Sequence, residues 1–268
     1  MIGPLEAAAL GVVEGVTEYL PVSSTGHLIV ASRWLGLGGE GIKTFEVVIQ
    51  AGAIAAVLGL YRRRVASMWQ GLLGRDPTGW RLLANLLVSF LPAAAAGALL
   101  HARIKASLFG VQPVVAALAV GGAAMIAVDR WLRAASGSSS RTVESLSAQE
   151  ALGIGIAQCL ALWPGTSRAM VTMVAAMLIG LPAAAAAEYS FLLALPTLGA
   201  ATLFEWLTGG RGLIQEVSLA STLVGFVTAA VVAALAVRGL VRYLSRRGLA
   251  VFGWYRLALA ALIWRCYR

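Results

Sequence analysis

The sequence predicts an all-α, polytopic membrane protein: six transmembrane helices plus two re-entrant helix–turn–helix pairs, arranged as an inverted-topology repeat. Three observations carry that prediction. The first is composition: 59% of residues are hydrophobic and 12% charged, with a mean hydropathy of +0.82, outside the range of soluble domains. The second is a set of apolar runs near 45–60, 82–100, 111–128, 183–204, 217–237 and 249–264. Each approaches or reaches the ~20 residues that cross a bilayer, and such spans are helical because lipid offers backbone groups no partners. The third is a duplicated pattern. Gly11-Val-Val-Glu14-Gly-Val-Thr-Glu18-Tyr-Leu-Pro21-Val-Ser23-Ser24-Thr25-Gly26-His27 matches Gly155-Ile-Ala-Gln158-Cys-Leu-Ala-Leu-Trp-Pro164-Gly165-Thr166-Ser167-Arg168-Ala-Met-Val-Thr172 at one constant offset. Gly11 pairs with Gly155, Glu14 with Gln158 and Ser23 with Ser167.

Each half opens on two short apolar pieces split by a Pro/Gly/Ser turn, 4–20 with 24–36 and 151–163 with 167–180. Neither piece spans comfortably, and a break facing lipid would leave backbone groups unsatisfied, so each pair is expected to be re-entrant and buried in protein. Three spans follow each pair. That odd number makes the second pair enter from the opposite face and brings the two breaks together near the midplane. Glu46 and Glu188, near the start of the next span in each half, extend the match. Residues 132–149, with Ser-Gly-Ser-Ser-Ser at 136–140, form a polar linker between repeats 1–131 and 150–268 of a single integral domain.

The net charge of +9 comes from residues at helix ends, with no aromatic-studded basic face, so nucleic acid is not an expected partner. One set of connections holds twelve basic residues: Arg62, Arg63, Arg64, Arg75, Arg81, Arg130, Arg133, Arg141, Arg238, Arg242, Arg246 and Arg247. The opposite set holds seven: Arg33, Lys43, Arg103, Lys105, Arg211, Arg265 and Arg268. The positive-inside rule puts the first set in the cytoplasm and both termini outside. The start carries Glu6, Glu14 and Glu18 and no Lys or Arg, so no cleavable signal peptide is expected. Cys159 and Cys266 lack metal-like spacing and read as incidental thiols.

Chemistry concentrates in the two breaks. A carboxylate at bilayer depth costs roughly 2.5–3.5 kcal/mol, so bland packing is a poor reason to keep two. Glu14 and Glu18 are four apart, hence on one helix face, where they repel unless a shared proton or a divalent cation such as Mg²⁺ or Ca²⁺ intervenes. Helix-end carboxylates facing outside water are the bland alternative. Ser23, Ser24, Thr25 and Gly26 begin the following helix, whose N–H groups favour phosphate, and His27 adds an imidazole as base, acid or orienter. His101, in an expected short loop, reads as packing. In the second break Gly165, Thr166, Ser167 and Thr172 supply donors, and Arg168 can hold an anion bidentately or pair with Glu14 or Glu18.

These motifs resemble the undecaprenyl-diphosphate phosphatases, also called bacitracin-resistance proteins. The resemblance rests on Glu14-x-x-x-Glu18-Tyr-Leu-Pro-Val-Ser-Ser-Thr-Gly-His27 with Pro164-Gly-Thr-Ser-Arg168, and extends to Phe45-Glu-Val-Val-Ile-Gln50 and Glu188-Tyr-Ser-Phe-Leu-Leu193. It covers essentially the whole chain. It implies hydrolysis of a C55 polyprenyl diphosphate to the monophosphate and inorganic phosphate, recycling the lipid carrier for cell-wall synthesis in the bacterial inner membrane. It also implies divalent-metal dependence, a homodimer, and resistance to bacitracin, which competes for the substrate. One departure stands out: the family's Ser-Arg-Ser-Gly-Ala-Thr is here Ser167-Arg168-Ala169-Met170-Val171-Thr172.

The mechanism expected is metal-assisted phosphoryl transfer. Glu14 and Glu18 would hold the metal, Arg168 would offset charge on the transferred group, and Ser24 is the candidate nucleophile with Glu18 or His27 as proton acceptor. Direct attack by water, with Glu18 as base, is the close alternative. The site is expected to open toward the exterior. Inverted repeats with broken helices also suit a lipid-carrier flippase or anion transporter. A histidine-pair lipid phosphatase is excluded, because no His follows position 101.

Overall fold

The computed structural model describes residues 2–108, 110–134, 140–209 and 217–266. Eleven α-helices and two short 3₁₀ turns make up the described residues, with one isolated bridge between Ile2 and Val217 in place of any strand. In chain order the helices are α1 (Pro4–Thr17), α2 (Ser24–Trp34), α3 (Glu40–Leu60), α4 (Arg62–Leu72), α5 (Pro77–Ser107), α6 (Val111–Ala134), α7 (Ala148–Gln158), α8 (Arg168–Leu178), α9 (Ala183–Gly209), α10 (Leu219–Leu244) and α11 (Ala250–Cys266). The 3₁₀ turns are Val143–Ser145 and Cys159–Leu162.

The all-α, multi-pass expectation holds. Among the described residues, α5, α6, α9 and α10 are long and apolar enough to cross a membrane, and α3 with α4 makes a fifth if the bent pair counts as one span. α11, the sixth expected span, has 17 residues, at the lower end of what crosses. The bend between α3 and α4 is 81°. The apolar pattern gave no sign of α4, because its first turn is Arg62-Arg63-Arg64 and its helical character is amphipathic. The expected linker is shorter than its polar composition suggested. α6 runs to Ala134, and a capping box closes the start of α7: Ser147 Oγ accepts from the Glu150 N–H while Glu150 accepts from the Ser147 N–H. His101 lies on the backbone of α5 rather than in a short loop. Its side chain, like those of Lys43 and Lys105, is outside the described residues, as are Arg211 and Arg268.

Two short helix pairs, α1/α2 and α7/α8, break at Pro21 and Pro164 as expected. α1 lies along α10, and α7 lies along α5; α6 packs on α11, and α3 on both α9 and α10. The approach is close in both halves. A methyl group on Gly11 would sit 2.7 Å from the Gly225 carbonyl oxygen, and one on Gly155 2.5 Å from that of Ser89. Both glycines therefore serve backbone contact. The core gathers Tyr19, Val57, Met173, Met177, Phe191 and Leu192 between these helices.

Candidate active site

The two breaks share one unusual backbone feature. Ser23 (φ 75°) and Ser167 (φ 72°) are the two non-glycine residues with positive φ among those described, a conformation that costs on the order of 1–3 kcal/mol where it is held. Each is the N-cap of the helix that follows. Ser23 Oγ accepts from the Gly26 N–H at 3.4 Å, and Ser167 Oγ from the Met170 N–H at 3.2 Å. Residues from both helix starts line one cavity, and a helix start favours an anion.

Those helix starts meet across a cavity of about 180 Å³. Its wall includes Glu18, Ser23, Ser24 and Thr25 from the first break and Gly165, Ser167 and Arg168 from the second. A continuous polar line runs through it. Ser24 Oγ donates to Glu18 Oε2 at 2.6 Å, and Arg168 Nη2 donates to Glu18 Oε1 at 3.0 Å. Arg168 Nη1 also donates to the Ser190 carbonyl at 2.9 Å, while the guanidinium lies 5.6 Å from the Tyr19 ring centre. Arg168 and Glu18 are 8% and 7% exposed, so the pair works at low dielectric and each charge depends on the other. Arg168 Nε and Glu14 Oε2 are buried without a hydrogen-bond partner among the described residues.

Other expected site residues stand behind this wall. Thr172 donates to the Arg168 carbonyl at 2.8 Å and lies 2.7 Å from Ser190 Oγ, so it fixes the residue that receives Arg168. His27 has both ring nitrogens engaged, Nδ1 with the Ser23 carbonyl at 2.7 Å and Nε2 with Tyr255 Oη at 2.6 Å. It braces the strained Ser23 turn, and Glu18 is the group against Ser24. Glu14, Gly26 and Thr166 do not line the cavity. Glu14 is 2% exposed, one helical turn before Glu18. Ala169 lies wholly buried in the core, so the departure at that position removes a hydroxyl from a place away from the cavity wall.

Several residues were not anticipated. Gln50 and Trp163 line the cavity, with Gln50 accepting from Thr202 Oγ1 at 3.0 Å and Trp163 Nε1 donating to the Pro113 carbonyl at 3.0 Å. An amide inside an apolar span is a usable sequence signal; the role of Trp163 depends on its neighbour and had none. Ser190 was equally silent. Arg256 is 0% exposed and donates to the carbonyls of Gly165 at 2.9 Å, Ala117 at 3.0 Å, and Pro21 and Leu118 at 3.4 Å. It ties both breaks to α6.

Residues 7–262 match the family described as bacitracin resistance protein BacA. The chain is similar to the undecaprenyl-diphosphatase of Sorangium cellulosum, 50% identical over 96% of this chain and 84% of that protein. It is also similar to undecaprenyl-diphosphatase 2 of Rhodospirillum rubrum, 44% identical over 97% and 93% of the two chains. The undecaprenyl-diphosphatase of Rhizorhabdus wittichii is likewise 44% identical, over 97% of each chain. With both motifs at the cavity and the match running nearly end to end, this chain belongs to the bacitracin resistance protein BacA family.

Proposed function

We propose that this protein hydrolyses undecaprenyl diphosphate to the monophosphate and inorganic phosphate, returning the lipid carrier to cell-wall synthesis and conferring bacitracin resistance when abundant. The observation that carries the proposal is the line Ser24–Glu18–Arg168 on the wall of a cavity between two helix starts. The diphosphate would lie against the N–H groups of α2 and α8, with Ser23, Thr25, Gly165 and Ser167 donating and Arg168 taking the terminal phosphoryl oxygens. Ser24 Oγ attacks the terminal phosphorus as its proton passes to Glu18 Oε2. The anhydride P–O bond breaks, and the polyprenyl monophosphate leaves with the proton from Glu18, which returns to the carboxylate. Water then attacks the phosphoserine, gives its proton to Glu18, and releases phosphate while Ser24 regains the proton.

A divalent cation fits the residues present. Glu14 Oε2 is a buried oxygen with no donor, a costly state that a hard cation relieves. Glu14 and Glu18 would be the protein groups to hold a Mg²⁺ or Ca²⁺, since among the described residues no group of three or more His, Cys, Asp or Glu comes together. When bound, such an ion offsets the charge of the transferred group.

The arrangement proposed is an inverted repeat in the bacterial inner membrane with the cavity reached from outside. Its support is the exchange symmetry of the packing, α1 on α10 against α7 on α5, and the matched strain at Ser23 and Ser167. The test is phosphate release from undecaprenyl diphosphate by purified protein, with and without chelator. We expect release that chelator abolishes and that Glu18→Gln lowers at least ~100-fold. A folded, metal-supplied protein that releases no phosphate would refute the activity; undiminished release in excess chelator would refute the metal.

A further inference from the structure

A second cavity, of about 530 Å³, lies at the elbow between α3 and α4 and is lined by Tyr61, Arg62, Arg63, Arg64 and Arg238. We propose that it binds the headgroup of an anionic phospholipid whose acyl chain lies along α4. The charges are arranged for that. Arg64 is committed to Glu144 and Glu188, whereas Arg62, Arg63 and Arg238 are exposed and form no ion pair among the described residues. Three guanidiniums without carboxylates repel one another, and a phosphodiester relieves that repulsion through charge-assisted hydrogen bonds. Tyr61 gives α4 no side-chain cap, so the N–H groups of its first turn add to the same anion-attracting field.

The rest of α4 favours a lipid over a free anion. Arg62, Ala66 and Trp69 fall at i, i+4 and i+7 of α4 and are all exposed, Trp69 by 60%, and the C-cap Leu73 beyond them is 52% exposed. They form one stripe that starts with charge and continues apolar, the pattern of a helix lying in the membrane interface with tryptophan at headgroup depth. Basic pockets between helices on the more basic face are where anionic headgroups bind. The site is separate from the catalytic cavity and shares no lining residue with it. Between them stand aromatic rings, Tyr61 at 6.4 Å and Tyr19 at 5.4 Å from Phe191.

The experiment is thermal unfolding of the full-length protein in detergent, titrated separately with phosphatidylglycerol, phosphatidylcholine and inorganic phosphate. Phosphatidylglycerol should raise the midpoint, and the other two should not. Replacing Arg62, Arg63 and Arg238 together by Gln should raise the phosphatidylglycerol needed at least about tenfold, and Trp69→Gln several-fold, with phosphate release in neutral detergent unchanged. If the triple variant does not fold, Arg238→Gln alone, which should need several-fold more lipid, decides. A variant that responds like the native protein, or an equal response to phosphatidylcholine, overturns the site. An equal response to inorganic phosphate overturns the lipid in favour of a free anion.

Discussion

Arg256 is the residue on which both breaks depend. Its guanidinium is divided among carbonyls of Pro21, Gly165, Ala117 and Leu118 and has no acidic partner among the described residues. A planar fork with five donors can serve four oxygens at once; a lysine ammonium is a compact charge with three. Arg256→Lys should therefore remain folded but lose turnover by ~10-fold or more, because a misplacement of ~1 Å at the site costs that order or greater. Comparing kcat with melting temperature checks this, and parallel losses in Met and Lys variants would reduce Arg256 to packing. Ser24 gives the second test at this scale. Ser24→Ala should abolish turnover and leave substrate binding nearly intact, since the anion contacts lie elsewhere. A modest loss would favour direct attack by water, with Glu18 as base. Melting must accompany every Glu18 variant, because removing one partner of a buried ion pair destabilises by about 3–5 kcal/mol.

At the scale of elements, the short helices are positioned by close backbone contact and by caps. Gly155→Ala should shift α7 away from α5, since its new methyl would meet the Ser89 carbonyl oxygen at 2.5 Å. We expect a lower melting temperature and weaker activity, with Gly11→Ala doing the same on α10. Ser147→Ala removes half of the α7 capping box and should cost about 1 kcal/mol. The 3₁₀ turn before it carries Glu144. Burial raises its pKa, but hydrogen bonds from Thr142 and its own backbone and the charge of Arg64 reverse this, leaving the carboxyl below its usual value. A depressed value means that stability from this group is complete above about pH 4.3 and disappears as pH falls through the lowered value. The melting temperature of Glu144→Gln should accordingly depend less on pH below that point than that of the native protein.

At the scale of the whole molecule, charge and connectivity must agree on orientation. Ion pairs join Arg64 to Glu144 and Glu188, and Arg141 to Glu150, so the α3–α4 elbow, the segment before α7 and the start of α9 share one end. That end carries basic residues from the set assigned to the cytoplasm. The opposite end then holds the end of α11, where Cys266 is exposed, while Cys159 is half-buried, and neither is in a disulfide. A membrane-impermeant thiol reagent added to intact spheroplasts should label Cys266 and spare a Cys266→Ser variant. Labelling that requires broken membranes would reverse the orientation.

Apolar length and the duplicated pattern determined the all-helical class, the two Pro-centred breaks, and a polar site built from Glu18, Ser24 and Arg168. These features are local: hydropathy is summed over a segment, and a carboxylate or guanidinium in apolar sequence is conspicuous wherever it later packs. Only tertiary structure decided that Glu18 joins Ser24 to Arg168, that His27 faces Tyr255, and that Ser190, Trp163 and Arg256 support the site. Each of those roles is a contact between helices distant in sequence, and a side chain's own type does not name the carbonyl or hydroxyl it will meet. The helix α4 stayed hidden for a related reason. Its helical face is set by lying across α5, and a sequence that begins with three arginines shows charge before it shows structure.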